Sequence, residues 1–211
     1  MKKNGCHEAE SCQCGAFPAI CLTVSVRALQ IFLSLATALL LPAMPARGAL
    51  SIGDTYSISF VDIDGNKHST ADGHVTIVVW TTSADREQAR TVGDHVPDFC
   101  LGNPAYRMIT VVHFTRRHMA LGRRLATGLI RHQVREEAKR LQARYDAQKI
   151  VRDAKSDIFV VIDFDGTSAS QLGQSASATD FCVFVFGQTG ELLALWHSVP
   201  SADELAAAVK K

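Results

Sequence analysis

Length, composition and charge limit what this chain can be. Its 211 residues suffice for one domain with a sizeable core and some additional element. The formal net charge is only +1, so overall charge gives no strong attraction to nucleic acid. Four of the six cysteines lie within the first 21 residues, and the remainder of the chain has only Cys100 and Cys182.

The first 48 residues have the pattern of an export leader. Arg27 precedes an apolar run at 28–41 that holds no charged residue, and Pro42 and a tail of small residues follow it. This order is typical of a secretory signal peptide, and the apolar core is shorter than the about 20 residues of a comfortable membrane span. We predict export to a periplasmic or secreted location. A membrane anchor formed by residues 28–41 is the alternative.

The pattern divides the chain into three parts. We predict a disordered or mis-started leader at 1–26, a signal peptide or membrane anchor at 27–48, and a folded domain at 50–211. The cysteines of the leader lack the paired C-x-x-C spacing of zinc sites, and no carboxylate cluster accompanies the scattered histidines. We therefore predict no metal and no cofactor.

The first elements of the domain have clear strand and turn signals. Residues 56–63 alternate in the manner of a strand, and the turn at 64–67 predicts an entry hairpin. Residues 75–80 are mostly apolar and β-branched, as in a strand that is buried on both faces. Hydroxyl residues at 81–83 predict the cap of a helix that ends at Gly93.

The second half continues the alternation of strands and helices. Strands are predicted at 107–114 and 158–164, on either side of a long basic helical segment at 115–157. After a loop at 168–179, a hairpin at 181–196 leads to a last helix that a Ser201–Glu204 capping box begins. We interpret four aspartates that follow strands as turn formers, namely Asp62, Asp64, Asp163 and Asp165. This order predicts an α/β fold with a mixed sheet flanked by helices.

The order of these motifs resembles the redoxin branch of the thioredoxin-like proteins. The entry segment at 52–67, the strand at 74–80 that ends in Trp80, and the hairpin at 181–196 with its capped helix carry the resemblance. It implies a thioredoxin-like mixed sheet with an N-terminal entry hairpin and a long basic helical insertion at 115–157. The chain is similar in this respect to exported thioredoxin-like proteins of unknown function.

The corresponding positions lack the chemistry of that family. The resemblance places Thr81 and Ala84 where the family has the two cysteines of its C-x-x-C pair, and neither side chain can form a disulfide. The family's cis-proline is also missing, because Asp180 and Phe181 occupy that place. The resemblance therefore implies a redox-inactive domain. The candidate binding residues at this end of the sheet are Trp80, Thr81, Thr82, Asp180 and Phe181.

Two further features suggest other functions. Cys182 follows the missing proline and is either a buried structural cysteine or a single reactive thiol, and we expect it to lie too far from Cys100 for a disulfide. The basic segment at 115–157 is either an anion-binding face or a solvated helix surface with internal ion pairs. The candidate basic patch consists of Arg116, Arg117, Arg123, Arg124, Arg131 and Arg135.

These observations favour a non-enzymatic module that binds a protein or peptide of the cell envelope. One alternative is a single-cysteine thiol oxidoreductase of the same fold that uses Cys182, with glutathione or a partner cysteine. The other is association with an anionic surface through the basic helix. Nucleic acid is not an expected partner of an exported protein.

Overall fold

Seven strands form two sheets in the computed structural model, which describes residues 48–115, 120–175 and 177–211. The strands are β1 (Ser59–Val61), β2 (Lys67–Ser69), β3 (Val75–Thr82), β4 (Tyr106–His113), β5 (Phe159–Asp163), β6 (Cys182–Phe186) and β7 (Leu192–Trp196). β1 and β2 form an antiparallel hairpin, and the other five strands form one sheet in the order β5-β4-β3-β6-β7. β3, β4 and β5 pair in parallel, whereas β6 pairs antiparallel with both β3 and β7. The predicted mixed sheet and entry hairpin are therefore present.

Helices lie on both faces of this sheet. Those of the described ranges are α1 (Arg86–His95), α2 (Ala120–Ala147), α3 (Thr167–Gln171) and α4 (Ala202–Val209). Two 3-10 turns, Asp98–Cys100 and Ala154–Asp157, follow α1 and α2. The predicted capping box begins α4, because Ser201 Oγ accepts from the backbone N–H of Glu204 at 3.3 Å and the Glu204 carboxylate accepts from that of Ser201 at 2.8 Å.

Several boundaries differ from the sequence predictions. The N-cap residue of α1 is Asp85, so the hydroxyl residues at 81–83 do not cap this helix, and its last residue is His95 rather than Gly93. The segment at 168–179, predicted as a loop, begins with most of α3. The first strand, predicted at 56–63, is limited to Ser59–Val61, and the N–H of Tyr56 before it donates to Gly190 of the β6–β7 turn.

The central strand β3 is buried on both faces and separates two apolar clusters. Trp80 belongs to the first cluster, which Phe60 of the entry hairpin helps to cover. Val79 belongs to the second cluster, together with Val92 of α1 and Leu205 of α4. The hairpin therefore covers the sheet face opposite to α1 and α4, as the continuous apolar run of β3 requires.

A buried arginine of β4 attaches the entry hairpin to the large sheet. The side chain of Arg107 is 6% exposed and donates to both carboxylate oxygens of Asp72, at 2.8 and 2.9 Å. It also donates to the backbone oxygen of Ser69 at 2.7 Å and to Thr76 Oγ1 at 3.0 Å. Burial opposes ionisation of Asp72, but the guanidinium outweighs it and holds the pKa of this carboxyl well below its ordinary value.

The β6–β7 turn also lies against the entry segment. The backbone N–H of Tyr56 donates to the oxygen of Gly190 at 2.8 Å, and Gly190 has a φ of +87°. A Cβ atom at this position would overlap the backbone oxygen of Tyr56. Glycine is therefore required at 190 both for its φ and for this close approach of two backbones.

All described residues belong to one compact unit at 46–211. The predicted leader, and nearly all of the predicted signal peptide, fall in residues 1–47, outside the described ranges. None of the helices within the described ranges combines the length and apolar character that crossing a bilayer requires.

Candidate functional site

The ends of four strands lie side by side at one edge of the five-stranded sheet. The parallel strands β3, β4 and β5 carry Trp80, His113 and Asp163 near or at their C-terminal ends. β6 runs antiparallel to β3, so its first residue, Cys182, reaches the same edge and pairs with Trp80. We call this region the carboxyl edge. Ligands of open α/β sheets commonly bind at this edge, which makes it the candidate site.

The turn after β3 contains no thiol. Thr81 is a buried residue of β3, and Ala84 lies exposed in the turn. Thr82 Oγ1 accepts from the backbone N–H of Ala84 at 3.2 Å and donates to Asp85 Oδ2 at 2.6 Å. Because α1 begins only at Arg86, Thr81 and Ala84 precede the first helical turn instead of forming it. The N-terminus of α1, where the helix dipole would lower the pKa of a cysteine, therefore has no thiol in the turn before it.

Cys182 is fully buried but has a histidine partner. Its Sγ lies 3.2 Å from Nδ1 of His197, an exposed residue that follows β7. Burial, and then the negative charge of Asp180, raise the pKa of Cys182 to about 11. Cys182 is therefore a neutral thiol in contact with the imidazole of His197. His197 was not predicted from the sequence, although the hairpin register, with Val183 opposite Trp196, brings it close to Cys182.

Cys100 lies on the other face of the sheet. It belongs to the apolar cluster beneath α1 and α4, and burial raises its pKa to about 11. Cys182 belongs to the opposite cluster, and both cysteines are free. The prediction that these two residues do not form a disulfide is confirmed.

A buried histidine–aspartate pair occupies the carboxyl edge beside Trp80. Nδ1 of His113 lies 3.1 Å from Oδ2 of Asp163, and both side chains are 1% exposed. The His113 ring also stacks on Trp80, with 4.7 Å between the ring centroids and 25° between the planes. The indole Nε1 of Trp80 is buried and has no hydrogen-bond partner within the described part of the chain.

Asp163 is not the turn former that the sequence suggested. Its carboxylate accepts the backbone N–H groups of Ser168 and Ala169, at 3.4 and 3.1 Å, in addition to the contact with His113. These bonds hold the start of α3 against the end of β5. Asp165 does have the predicted role, because its Oδ1 accepts the N–H of Thr167 at 3.0 Å. Since 50 residues separate His113 from Asp163, no local motif could have revealed this pair.

The five residues predicted to bind a partner have different positions at this edge. Trp80, Thr81 and Phe181 are buried, so they shape the carboxyl edge and cannot serve as its contact surface. Thr82 is half-buried and Asp180 is exposed. Among residues not predicted, Ser83 and His197 are also exposed there. The described residues contain no group of three or more histidine, cysteine, aspartate or glutamate side chains that could hold a metal ion.

The predicted basic segment at 115–157 divides along α2. In the C-terminal half, Lys139 pairs with Glu136 at 2.9 Å and Arg140 pairs with Glu137 at 3.4 Å, as expected for a solvated helix surface. In the N-terminal half, Arg123 lies over the ring of Phe164 and Arg131 donates to the backbone oxygen of Ile63 at 2.8 Å. Arg124 and Arg135 are exposed, while Arg116 and Arg117 lie outside the described residues.

No family model and no curated protein matches the sequence. Solved structures do match. The exposed lipoprotein thioredoxin Etrx1 of Streptococcus pneumoniae is 12% identical, with a TM-score of 0.47, over 73% of this chain and 98% of that one. StoA of Bacillus subtilis is 16% identical, with a TM-score of 0.42, over 74% and 98%.

A secreted disulfide oxidoreductase of Mycobacterium tuberculosis also matches, with 11% identity and a TM-score of 0.42 over 73% of this chain and 95% of that one. The parallel β3–β4–β5 unit, the antiparallel β6–β7 hairpin and the helices on both faces agree with the arrangement that the sequence resemblance implied. The fold is thioredoxin-like. Identities and TM-scores this low carry no function over to this chain.

Proposed function

We propose that this chain is an exported thioredoxin-like module that binds a protein or peptide of the cell envelope and performs no dithiol chemistry. The observation that carries this proposal is the burial of Cys182, the cysteine that the described residues place at the carboxyl edge. Cys182 is fully buried, and burial raises its pKa to about 11, so the thiol is protonated at neutral pH. The turn that precedes α1 offers no second thiol, since it consists of Thr81, Thr82, Ser83 and Ala84.

The same edge keeps features that suit binding. Exposed polar residues surround the buried residues of this edge, among them Ser83, Asp180 and His197. The buried residues are fixed by the stacking of His113 on Trp80 and by the bonds of Asp163 to α3. A rigid surface with exposed polar groups can hold a partner in one orientation, because little conformational freedom is lost on binding.

The absence of thiol chemistry can be measured directly. We expect no turnover in insulin reduction with dithiothreitol above a protein-free blank. We also expect native Cys182 to react with iodoacetamide at least a hundred-fold more slowly than in the unfolded chain, since only the thiolate reacts. Peptide-resolved mass spectrometry separates Cys182 from the other cysteines, and buried Cys100 serves as the internal control. Rapid native alkylation of Cys182 alone would contradict the proposal.

Partner binding requires a position-specific test. A photo-crosslinking amino acid placed at exposed Ser83 or Asp180 should give a discrete protein adduct in cell-envelope extract. The matched control is exposed Gln188 in the β6–β7 turn, which lies at the opposite end of the sheet because β6 begins at the carboxyl edge. Equal adducts from all three positions, or adducts from position 188 alone, would count against a binding role for this edge.

The contact between Cys182 and His197 favours a second candidate function, that of a single-thiol oxidoreductase. In such a reaction His197 would take the proton of the thiol, and the resulting thiolate would attack a glutathione disulfide or a partner's disulfide. A mixed disulfide with Cys182 would form and the other sulfur would leave as a thiol. The alkylation experiment distinguishes the two functions. Fast reaction of Cys182 that the His197→Ala substitution abolishes would favour the enzyme.

A further inference from the structure

The helix α2 presents three leucines to solvent. Leu121, Leu125 and Leu129 are 71, 65 and 61% exposed, respectively. They are spaced four residues apart and therefore form one stripe along the same side of the helix. Ile130 and Val134, which belong to another side of α2, are the residues that pack against the domain. The exposed leucines are thus not required for the core, and adjacent exposed apolar residues of this kind commonly mark an interaction surface.

The charges beside this stripe have a single sign. Between residues 120 and 135 the sequence contains four arginines and no acidic residue. With about 100° of rotation per residue, Arg124 and Arg135 project along one flank of the leucine stripe. Both are exposed, and neither forms an ion pair within the described ranges. This half of α2 differs from the C-terminal half, where Glu136 and Glu137 neutralise the basic residues.

We propose that this leucine–arginine face, formed by Leu121, Leu125, Leu129, Arg124 and Arg135, binds the surface of an anionic phospholipid bilayer. The leucines enter the boundary between headgroups and acyl chains, and the guanidinium groups bind lipid phosphates. This surface is separate from the carboxyl edge, so the inference does not depend on the proposed function.

A bilayer suits this face better than other occupants. A second copy of the chain would pair two leucine stripes and bring arginines of like charge together. The stripe runs from Leu121 to Leu129, about 12 Å along a convex helix surface. A soft lipid surface deforms around such a ridge, whereas an acidic protein would need a groove of matching shape. The segment at 28–41, predicted to direct export, would also bring the chain to a membrane.

The test uses the full-length chain with a photo-crosslinking amino acid at position 125. It is mixed with vesicles of phosphatidylcholine, with or without phosphatidylglycerol, and the adducts are identified by mass. We expect lipid adducts with the anionic vesicles and at least ten-fold fewer with the neutral ones. Arg27 and the leader lysines can also favour anionic vesicles, so the adduct at a control position measures what insertion through residues 28–41 contributes by itself. Position 188 is the control and should give no lipid adduct.

Paired variants separate charge from fold. The double substitution Arg124→Gln with Arg135→Gln should lower the lipid adduct about 30-fold at limiting vesicle concentration. The reason is that each arginine near an anionic surface raises the affinity about five-fold. Lys139→Gln with Arg140→Gln removes the same charge from the paired half of α2 and should leave the adduct unchanged. Melting temperatures establish that both variants fold.

Three results would overturn the inference. Equal adducts with neutral and anionic vesicles would mean that the arginines play no part. No lipid adduct with either vesicle would mean that the leucines do not reach the bilayer. A protein adduct in place of a lipid adduct, when whole envelope membranes are used, would identify the face as a protein-binding surface.

Discussion

Replacing Arg107 by alanine is expected to lower the free energy of unfolding by about 3 kcal/mol, the lower end of the range for breaking a buried ion pair. The substitution removes the bidentate contact with Asp72 and leaves the oxygens of Ser69 and Thr76 without their donor. The lower end applies because the Asp72 side chain is about a third exposed in the folded protein and can bind water once Arg107 is removed. Urea unfolding followed by circular dichroism measures the change.

Two other substitutions control for charge and for the loss of a side chain. Arg107→Lys keeps the positive charge but not the planar fork that binds both Asp72 oxygens, so we expect it to recover only part of the stability. Arg124→Ala removes an exposed arginine of α2 and should change the free energy of unfolding by less than about 0.5 kcal/mol. If Arg107→Ala were as mild as Arg124→Ala, the entry hairpin would not depend on this ion pair.

The same contact gives stability a defined pH dependence. Because Arg107 holds the pKa of Asp72 below its ordinary value, the stabilisation is fully present above the pKa of Asp72 in the unfolded chain, about 4. It is lost as pH falls through the lower pKa of the folded state. The difference in stability between the wild type and Asp72→Asn should therefore be constant near neutral pH and shrink below about pH 4. A difference that grew in acid would contradict this sign.

Replacing Asp163 by alanine should cost about 3 kcal/mol, because three buried donors lose their acceptor at once. These are His113 and the backbone N–H groups of Ser168 and Ala169, and an unsatisfied buried group costs about 1–3 kcal/mol. The matched control is Asp165→Ala, two residues away, where an exposed carboxylate accepts from the backbone and the side chain of Thr167, and we expect about 0.5 kcal/mol. Thermal or urea unfolding of the two variants gives the comparison.

Asp163→Asn adds a further check, because the amide keeps one acceptor oxygen. At the position of Oδ2 this oxygen can still accept from both His113 and Ala169, whereas Ser168 loses its acceptor at Oδ1. Asp163→Asn should therefore be less destabilising than Asp163→Ala. Equal and small effects of Asp163→Ala and Asp165→Ala would mean that the buried pair contributes nothing to stability.

The parts of the fold with local signals could be predicted from the sequence. The continuous apolar run of 75–80 indicated a strand buried on both faces, and Ser201 and Glu204 marked the start of α4. α3 was missed because its five residues, Thr167 to Gln171, have no apolar periodicity. It forms where Asp163 and Asp165 accept its first N–H groups, and those bonds depend on the end of β5.

The candidate site was predicted only in outline. The sequence placed Cys182 at the correct end of the sheet, but both polar pairs of the carboxyl edge join residues far apart in the chain. His197 approaches Cys182 through the register of a hairpin, and His113 approaches Asp163 because two parallel strands end together. The division of the basic segment at 115–157 also needed the structure, since some α2 charges are neutralised from outside the helix, as when Arg144 pairs with Asp98.

The separate entry hairpin has a consequence for how the protein fluctuates. β1 and β2 form their own small sheet, and side chains such as Arg107 and scattered backbone bonds fasten them to the rest. Small units attached in this way tend to detach before the whole molecule unfolds. Phe60 of the hairpin lies in the same apolar cluster as Cys182, so detachment would uncover that side of the sheet. The rate at which a small reagent reaches Cys182 would then report this sub-global opening, and weakening the Arg107 contact would speed it while the intrinsic acidity of the thiol stayed the same.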